Sequence, residues 1–168
     1  MNLENSLAKK KAAILDKWLK VILESYPDAT SRFLKQEKDR FANPAGYTIS
    51  QDIETIYEEL FQETNSEKLA ACLDNIIRIR SVQDFPPSEA IAFTFFLKKA
   101  IREELVGEIA DRQIFEELLK FESRIDDMIL LSLDIYMKCR EKIYQIRVNE
   151  ANNEKEMALK LLERMSSA

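Results

Sequence analysis

The sequence predicts an all-α fold: one helical bundle whose long C-terminal helix extends from the core. Three observations carry that prediction. The 168 residues include only two glycines and four prolines, with 33% charged and 46% hydrophobic side chains, a balance typical of amphipathic helices. Apolar residues recur at helical spacing in each segment of the chain. From about Asp111 that pattern continues to near the C-terminus. A chain of this length fits one domain, able to bury roughly 70% of its unfolded surface.

The first helix is expected from about Asn5 to Ser25, with Leu7, Ile14, Trp18, Val21 and Ile22 sharing a stripe. Tyr26-Pro27-Asp28 breaks it, and a short helix follows around Thr30 to Lys35. The segment Phe41 to Tyr47 reads as a loop, with a turn at Asn43-Pro44 and positive φ at Gly46. Ser50 then reads as the N-cap of a helix reaching about Glu63, and Ser66 as the cap of the next, ending near Val82. On that helix Leu69, Cys72, Leu73, Ile76, Ile77 and Ile79 share a face. Arg80 lands near its middle, while Arg78 points the opposite way.

An arginine directed at a core needs a carboxylate or several carbonyls, because an unpaired buried charge is very costly. Asp84, Asp126 and Asp127 are the candidate partners. Arg80 can thus be one half of a structural ion pair, an arginine reaching out at the helix end, or a switch or ligand-binding residue, with Phe85 beside it.

After Phe85-Pro86-Pro87, a helix from Glu89 to Val106 carries a core stripe of Ala90, Phe93, Leu97, Ala100, Ile101 and Leu105. Ile91 and Phe95 fall on the other side, with Lys98 and Arg102. That ridge is a candidate interaction surface, covered by other helices of the chain or by a partner. Gly107 is placed at the end of this helix.

The last helix, with a bend expected around Phe121 to Ser123, carries two stripes. One holds Ile125, Met128, Ile129, Ser132, Ile135, Tyr136, Cys139, Ile143 and Ile146. The other is spaced by sevens: Leu130, Met137, Tyr144, Ala151, Ala158 and Met165. Two stripes mean two neighbours, and the seven-residue repeat favours a second copy of the same helix, hence a homodimer. Its companion positions, Leu133, Arg140, Arg147, Glu154 and Leu161, are largely charged and weaken that signal. Residues 1–150 read as the helical domain and 151–168 as a linker-like extension.

The chemistry the chain lacks narrows its function. There is no histidine, which removes histidine-based acid–base catalysis and His-ligated haem or zinc. The adjacent acidic pairs Glu58-Glu59, Glu103-Glu104, Glu116-Glu117 and Asp126-Asp127 each split across a helix surface, as solvated faces do. A net charge of −5 argues against nucleic acid as a partner, and Lys9-Lys10-Lys11 is the one basic run. No apolar run reaches a membrane span, and the N-terminus lacks the form of a secretory signal. Cys72 and Cys139 read as two buried free thiols of a reducing, cytosolic compartment. No catalytic residue, metal or cofactor is expected. The phenylalanines and methionines leave an enclosed apolar pocket open, so a small-molecule or lipid-binding bundle remains an alternative, as does an adaptor for an enzyme complex.

Three stretches together resemble the N-terminal domain of RsbRD-type proteins, relatives of the RsbR stressosome co-antagonists. They are Phe41–Ile49 (FANPAGYTI), Arg78–Phe85 (RIRSVQDF) with its following helix, and Asp134–Tyr144 (DIYMKCREKIY) leading into Arg147 and Glu150. The resemblance spans most of the chain to about Glu150. Its most specific part is the helix that opens Pro87-Ser88-Glu89-Ala90 and ends Lys98-Lys-Ala-Ile-Arg-Glu-Glu104. Where the family turn is usually Thr-Pro-Ser, this chain has Pro86 in place of the capping threonine, leaving Asp84, Ser88 or water to cap.

The resemblance implies a bacterial, non-enzymatic signalling input module of the stress-response type. It implies a dimer that binds no haem, with a protein signalling partner. In relatives an output follows through a helical linker, a STAS domain in stressosome proteins and a kinase core in sensor kinases. Here the chain reaches Ala168 about where an output would begin, so it reads as a stand-alone member or a separated input domain. RsbR-type input domains are globin-like, and the topology stays open between that and another helical bundle. Stimulus, small-molecule ligand and downstream partner are not specified by these residues.

Overall fold

The computed structural model of the chain describes residues 2–62 and 66–167. Among the described residues it contains six helices and no strand: α1 Leu3–Glu24, α2 Asp28–Gln36, α3 Pro44–Glu59, α4 Ser66–Val82, α5 Pro87–Glu104 and α6 Arg112–Ser166. The all-α bundle is therefore as expected. The principal packing pairs are α4 with α6, α1 with α5, α3 with α4, and α5 with α6.

α1 starts where the Asn2 side chain accepts from the Asn5 N–H, and it buries Leu7, Ile14, Trp18 and Ile22 completely. Val21, expected on the same stripe, is instead 37% exposed. Trp18 is fully buried, yet its indole N–H is satisfied by the Phe93 carbonyl of α5 at 2.6 Å. Tyr57 does the same between α3 and α1, its hydroxyl reaching the Leu7 carbonyl at 3.1 Å.

The segment expected to be a loop with Gly46 at positive φ is helical from Pro44 onward, and no glycine has positive φ. Asn43, not Ser50, is the cap, and Ser50 lies within the helix. Proline suits the first helical position because its missing N–H would have no partner there. The buried Asn43 amide donates to the Leu34 and Glu37 carbonyls at 3.1 and 2.9 Å and accepts from the Gly46 N–H at 2.8 Å. Glycine is needed for room, since a Cβ on Gly46 would stand 2.8 Å from Asn43 Oδ1. α3 ends at Glu59, so the stop expected near Glu63 is too late. Glu63 itself, and the capping role given to the Ser66 side chain, lie outside the described residues.

α5 begins and ends two residues earlier than expected, and Gly107 sits in the following turn rather than closing the helix. Asp111 caps α6 by accepting from the Gln113 and Ile114 N–H groups. α6 then runs 55 residues without interruption, straight through the expected bend at Phe121 to Ser123. Its buried positions end at Tyr136, and from Tyr144 to Ser167 every residue is exposed. At 1.5 Å per residue that leaves roughly 35 Å of helix beyond the core.

Two lysines of the basic run are tied down by acids elsewhere in the fold. Lys10 pairs with Glu108 at 2.8 Å, and Lys11 with Glu54 and Glu58 at 2.8 and 2.6 Å. Among the described residues no helix is long and apolar enough to cross a membrane.

Replacing Asn43 by alanine removes a helix cap and leaves two carbonyls short of a donor. The expected cost is about 2 kcal/mol, read as a lower urea midpoint at unchanged slope.

Candidate functional site at the α4–α5 junction

α4 ends in a Schellman motif built on an unusual residue. The Phe85 N–H bonds the Arg80 carbonyl at 3.4 Å and the Asp84 N–H bonds the Ser81 carbonyl at 3.3 Å. The left-handed position is taken by Asp84, at φ 58°, where glycine is usual; no other non-glycine residue described has positive φ. A hydrophobic contact normally closes this motif between the two residues at its ends. Here Arg80 and Phe85 make it, with the guanidinium 4.4 Å from the ring centroid.

Arg80 is fully buried, as its place on the apolar face of α4 requires. The expected ion pair is absent: among the described residues no carboxylate lies within salt-bridge distance of it. The nitrogens donate instead to neutral oxygens, Ser25 Oγ at 3.0 Å and the Glu89 carbonyl at 2.8 Å. Nε has no partner. The rings of Tyr26, Phe85 and Phe93 surround the cation, with centroids at 5.0, 4.4 and 5.8 Å. Burial lowers the arginine pKa from its ordinary value, with Tyr26 and Glu89 opposing.

The three aspartates proposed as partners are elsewhere for steric reasons. The left-handed turn at Asp84 swings its carboxylate outward, 3.1 Å from Arg140 and 3.6 Å from Arg147 of α6. Asp126 lies on the α5 side of α6 and meets Lys98 at 2.5 Å. Asp127, one step around that helix, is exposed. Phe85 is buried and packs edge-on against Tyr26, ring centroids 5.4 Å apart.

The same turn is fastened to α6. The Tyr136 hydroxyl donates to the Phe85 carbonyl at 2.8 Å, and Arg140 donates to the Ser81 carbonyl at 3.3 Å while holding Asp84. Arg140 also bonds the Tyr144 hydroxyl at 3.0 Å. Tyr144 first, and then Asp84, raise its pKa. A cation at the final carbonyls of α4 also complements the negative end of that helix. The junction thus joins α1, through Ser25 and Tyr26, to α6, through Tyr136 and Arg140.

Of the other sites expected from sequence, the ridge on α5 is largely absorbed by the fold. Ile91 is buried, and Arg102 makes a bidentate pair with buried Glu122, both contacts at 2.6 Å. Lys98 is engaged by Asp126, which leaves Phe95, half exposed, as the free part of the ridge. On α6, Leu130, Met137, Tyr144 and Ala151 are all exposed. Both cysteines are free thiols, Cys72 buried and Cys139 half-buried. Burial and the neighbouring Asp52 push the Cys72 thiol up to about 11.

Sequence reasoning misses Ser25, Tyr26, Glu89, Tyr136 and Arg140 as members of the junction. Periodicity assigns Tyr136 only to a stripe, and Arg140 and Arg147 only to charged positions that spoil a coiled coil. Their signal is the company they keep: two arginines seven residues apart flank a helix face beside a buried tyrosine.

Fold and junction together define an all-helical domain organised around a buried cation, with a C-terminal helix fastened to that core and then leaving it. The chain belongs to the family of the RsbT co-antagonist protein rsbRD N-terminal domain, whose family model matches residues 12–151. It is also 30% identical over 102 residues to an uncharacterized protein of Archaeoglobus fulgidus, a match covering 60% of this chain and 64% of that relative. No solved structure matches the chain.

Substitutions at two positions test this geometry. Arg80→Met, which keeps the volume and leaves Ser25 Oγ and the Glu89 carbonyl with their other bonds, is expected to change stability by less than ~1 kcal/mol. Arg80→Ala, which opens a cavity, is expected to cost about 2–4 kcal/mol by denaturant unfolding. A loss of ~3–5 kcal/mol in the methionine variant would instead signal a broken ion pair. Asp84→Gly is expected to keep or raise the melting temperature, because it relieves the left-handed backbone, whereas Asp84→Ala is expected to lose about 1 kcal/mol.

Proposed function

We propose that this chain is a non-enzymatic, cytosolic signal-transduction input module that acts through protein contacts and its C-terminal helix. Membership in the co-antagonist family supports the signalling class. The observation that carries the mechanism is the double attachment of the α4–α5 turn to α6 at Tyr136 and Arg140, just before α6 leaves the core. An event that alters the junction changes the hold on a helix whose far end is free to engage something else. Residues 1–150 receive the event and 151–168 carry it onward.

The exposed ridge Leu130, Met137, Tyr144 and Ala151 is the natural seat for a second copy. Leu130 is 65% and Met137 56% exposed, on the stretch of α6 whose opposite face buries Met128, Ile129, Ile135 and Tyr136. The ridge keeps the seven-residue spacing that lets two such helices run side by side. A homodimer covers these side chains and brings two C-terminal extensions together, the form in which a change of helix orientation is readable by a partner protein.

Light scattering at micromolar concentration is expected to give roughly twice the 19.6 kDa chain mass. Met137→Glu is expected to halve that mass while leaving the helical circular dichroism intact. A wild-type chain at the monomer mass sinks the dimer.

A further inference from the structure

Beyond the core, α6 is a projecting arm whose polar and apolar residues follow the heptad more closely than its ridge alone shows. With Tyr144, Ala151, Ala158 and Met165 at the first position of each heptad, a, the fourth position, d, holds Arg147, Glu154 and Leu161. The flanking g positions are then Ile143, Glu150 and Met157, and the flanking e positions Val148, Lys155 and Leu162. Apart from half-buried Ile143, all of these side chains are exposed. We propose that a second copy lays its arm parallel to and in register with this one, and that Asp84 of each core is what allows the two arms to close.

Charge complementarity sets the direction. In a parallel pair each g residue faces the e residue five positions later on the other helix. Ile143 then meets Val148, Glu150 meets Lys155 and Met157 meets Leu162, so apolar faces apolar and acid faces base. An antiparallel pair faces g to g and e to e. Its registers set Glu150 or Lys155 against its own counterpart, or charge against hydrocarbon. The parallel d layer brings like residues together, and two of its residues are charged. Glu154 packs beside the second copy's Lys155, which answers it. Arg147 packs beside the second copy's Val148 and Ala151 and meets no acid there.

The answer to Arg147 comes from its own core. The left-handed turn sends the Asp84 carboxylate outward, 3.6 Å from Arg147 and 3.1 Å from Arg140, the preceding d residue. Arg140 has further acceptors in the Ser81 carbonyl and the Tyr144 hydroxyl. Arg147 has Asp84 alone among the described residues. Without that carboxylate, two uncompensated arginines face each other across the seam and repel. The α4–α5 turn thereby gains a hold on pairing: with Asp84 in place the arms close, and with it withdrawn they part. This deepens the dimer reading given above and rests on it.

The test measures the dimer dissociation constant of the full chain by sedimentation at low salt. Asp84→Gly, which suits the left-handed turn and keeps the fold, is expected to weaken the dimer roughly tenfold or more. Asp84→Asn, which also accepts that turn, is expected to do the same. Arg147→Gln in either background is expected to restore the wild-type constant, and ~1 M salt to remove most of the defect. A merely structural turn gives neither rescue. Ala151→Cys and Ala158→Cys, both at a positions, are each expected to crosslink two chains in oxidised glutathione, whereas wild type, with Cys72 and Cys139, is not. An antiparallel pair permits at most one of the two. An unchanged constant in both Asp84 variants, or no restoration by Arg147→Gln, overturns the role of Asp84. Crosslinking of only one cysteine variant, or of neither, overturns the parallel register. A wild-type monomer removes the dimer reading itself, while a wild-type dimer that fails these tests keeps that reading and loses only this inference.

Discussion

Arg80 is a positive charge with no solvent and, among the described residues, no carboxylate in salt-bridge reach; it is held by aromatic faces and two neutral oxygens, and much of the molecule is arranged to make that tolerable. Tyr26 must sit at the end of α1 and Phe85 just beyond the end of α4 for their rings to reach it. Phe93 comes from α5, whose Glu89 carbonyl supplies one of the acceptors. A single side chain thereby fixes how the C-terminus of one helix, the C-terminus of another and the N-terminus of a third approach each other. An apolar residue of the same volume would fill that space but impose no such geometry. In this protein the buried charge is a specification of shape more than a source of stability.

Much of this arrangement is legible in the sequence. Period-3.6 patterning places five helices well because apolar contacts decide those positions, and Arg80 stands out as the one cation on a core face. The start of α3 is misread because Asn43-Pro44 followed by Gly46 is turn chemistry in isolation. Only the Leu34 and Glu37 carbonyls, nine and six residues earlier, turn Asn43 into a cap. The partner of Arg80 is misread for a related reason. Of the two options for a core-facing arginine, a carboxylate or carbonyls, only the carboxylates could be named from the sequence, whereas the solution uses ring quadrupoles, the Ser25 hydroxyl and the Glu89 carbonyl. The roles of Tyr136 and Arg140 depend on which α6 residues pass the α4–α5 turn, a tertiary fact that spacing along one helix does not contain.

The α5–α6 contact shows how polar residues divide their labour. Lys98–Asp126 and Arg102–Glu122 sit one turn apart on both helices and fix their register. Glu122 is nearly buried while Arg102 remains largely exposed, so the bond is specific without enclosing both charges. Burial along α6 fades beyond Tyr136, which makes the helix half core element and half projecting arm.

That arm belongs to one unbroken α-helix, Arg112–Ser166, which gives it a property of phase. Each residue turns the helix by about 100°, so every exposed side chain holds a fixed angle to the tyrosine and arginine gripping the turn. Adding or deleting a single residue in the arm would swing everything beyond it by more than a quarter of a revolution. Seven residues would restore the angle to within about 20°. Evolution can therefore lengthen this arm in heptads at little cost, and in single residues only by re-aiming whatever it carries.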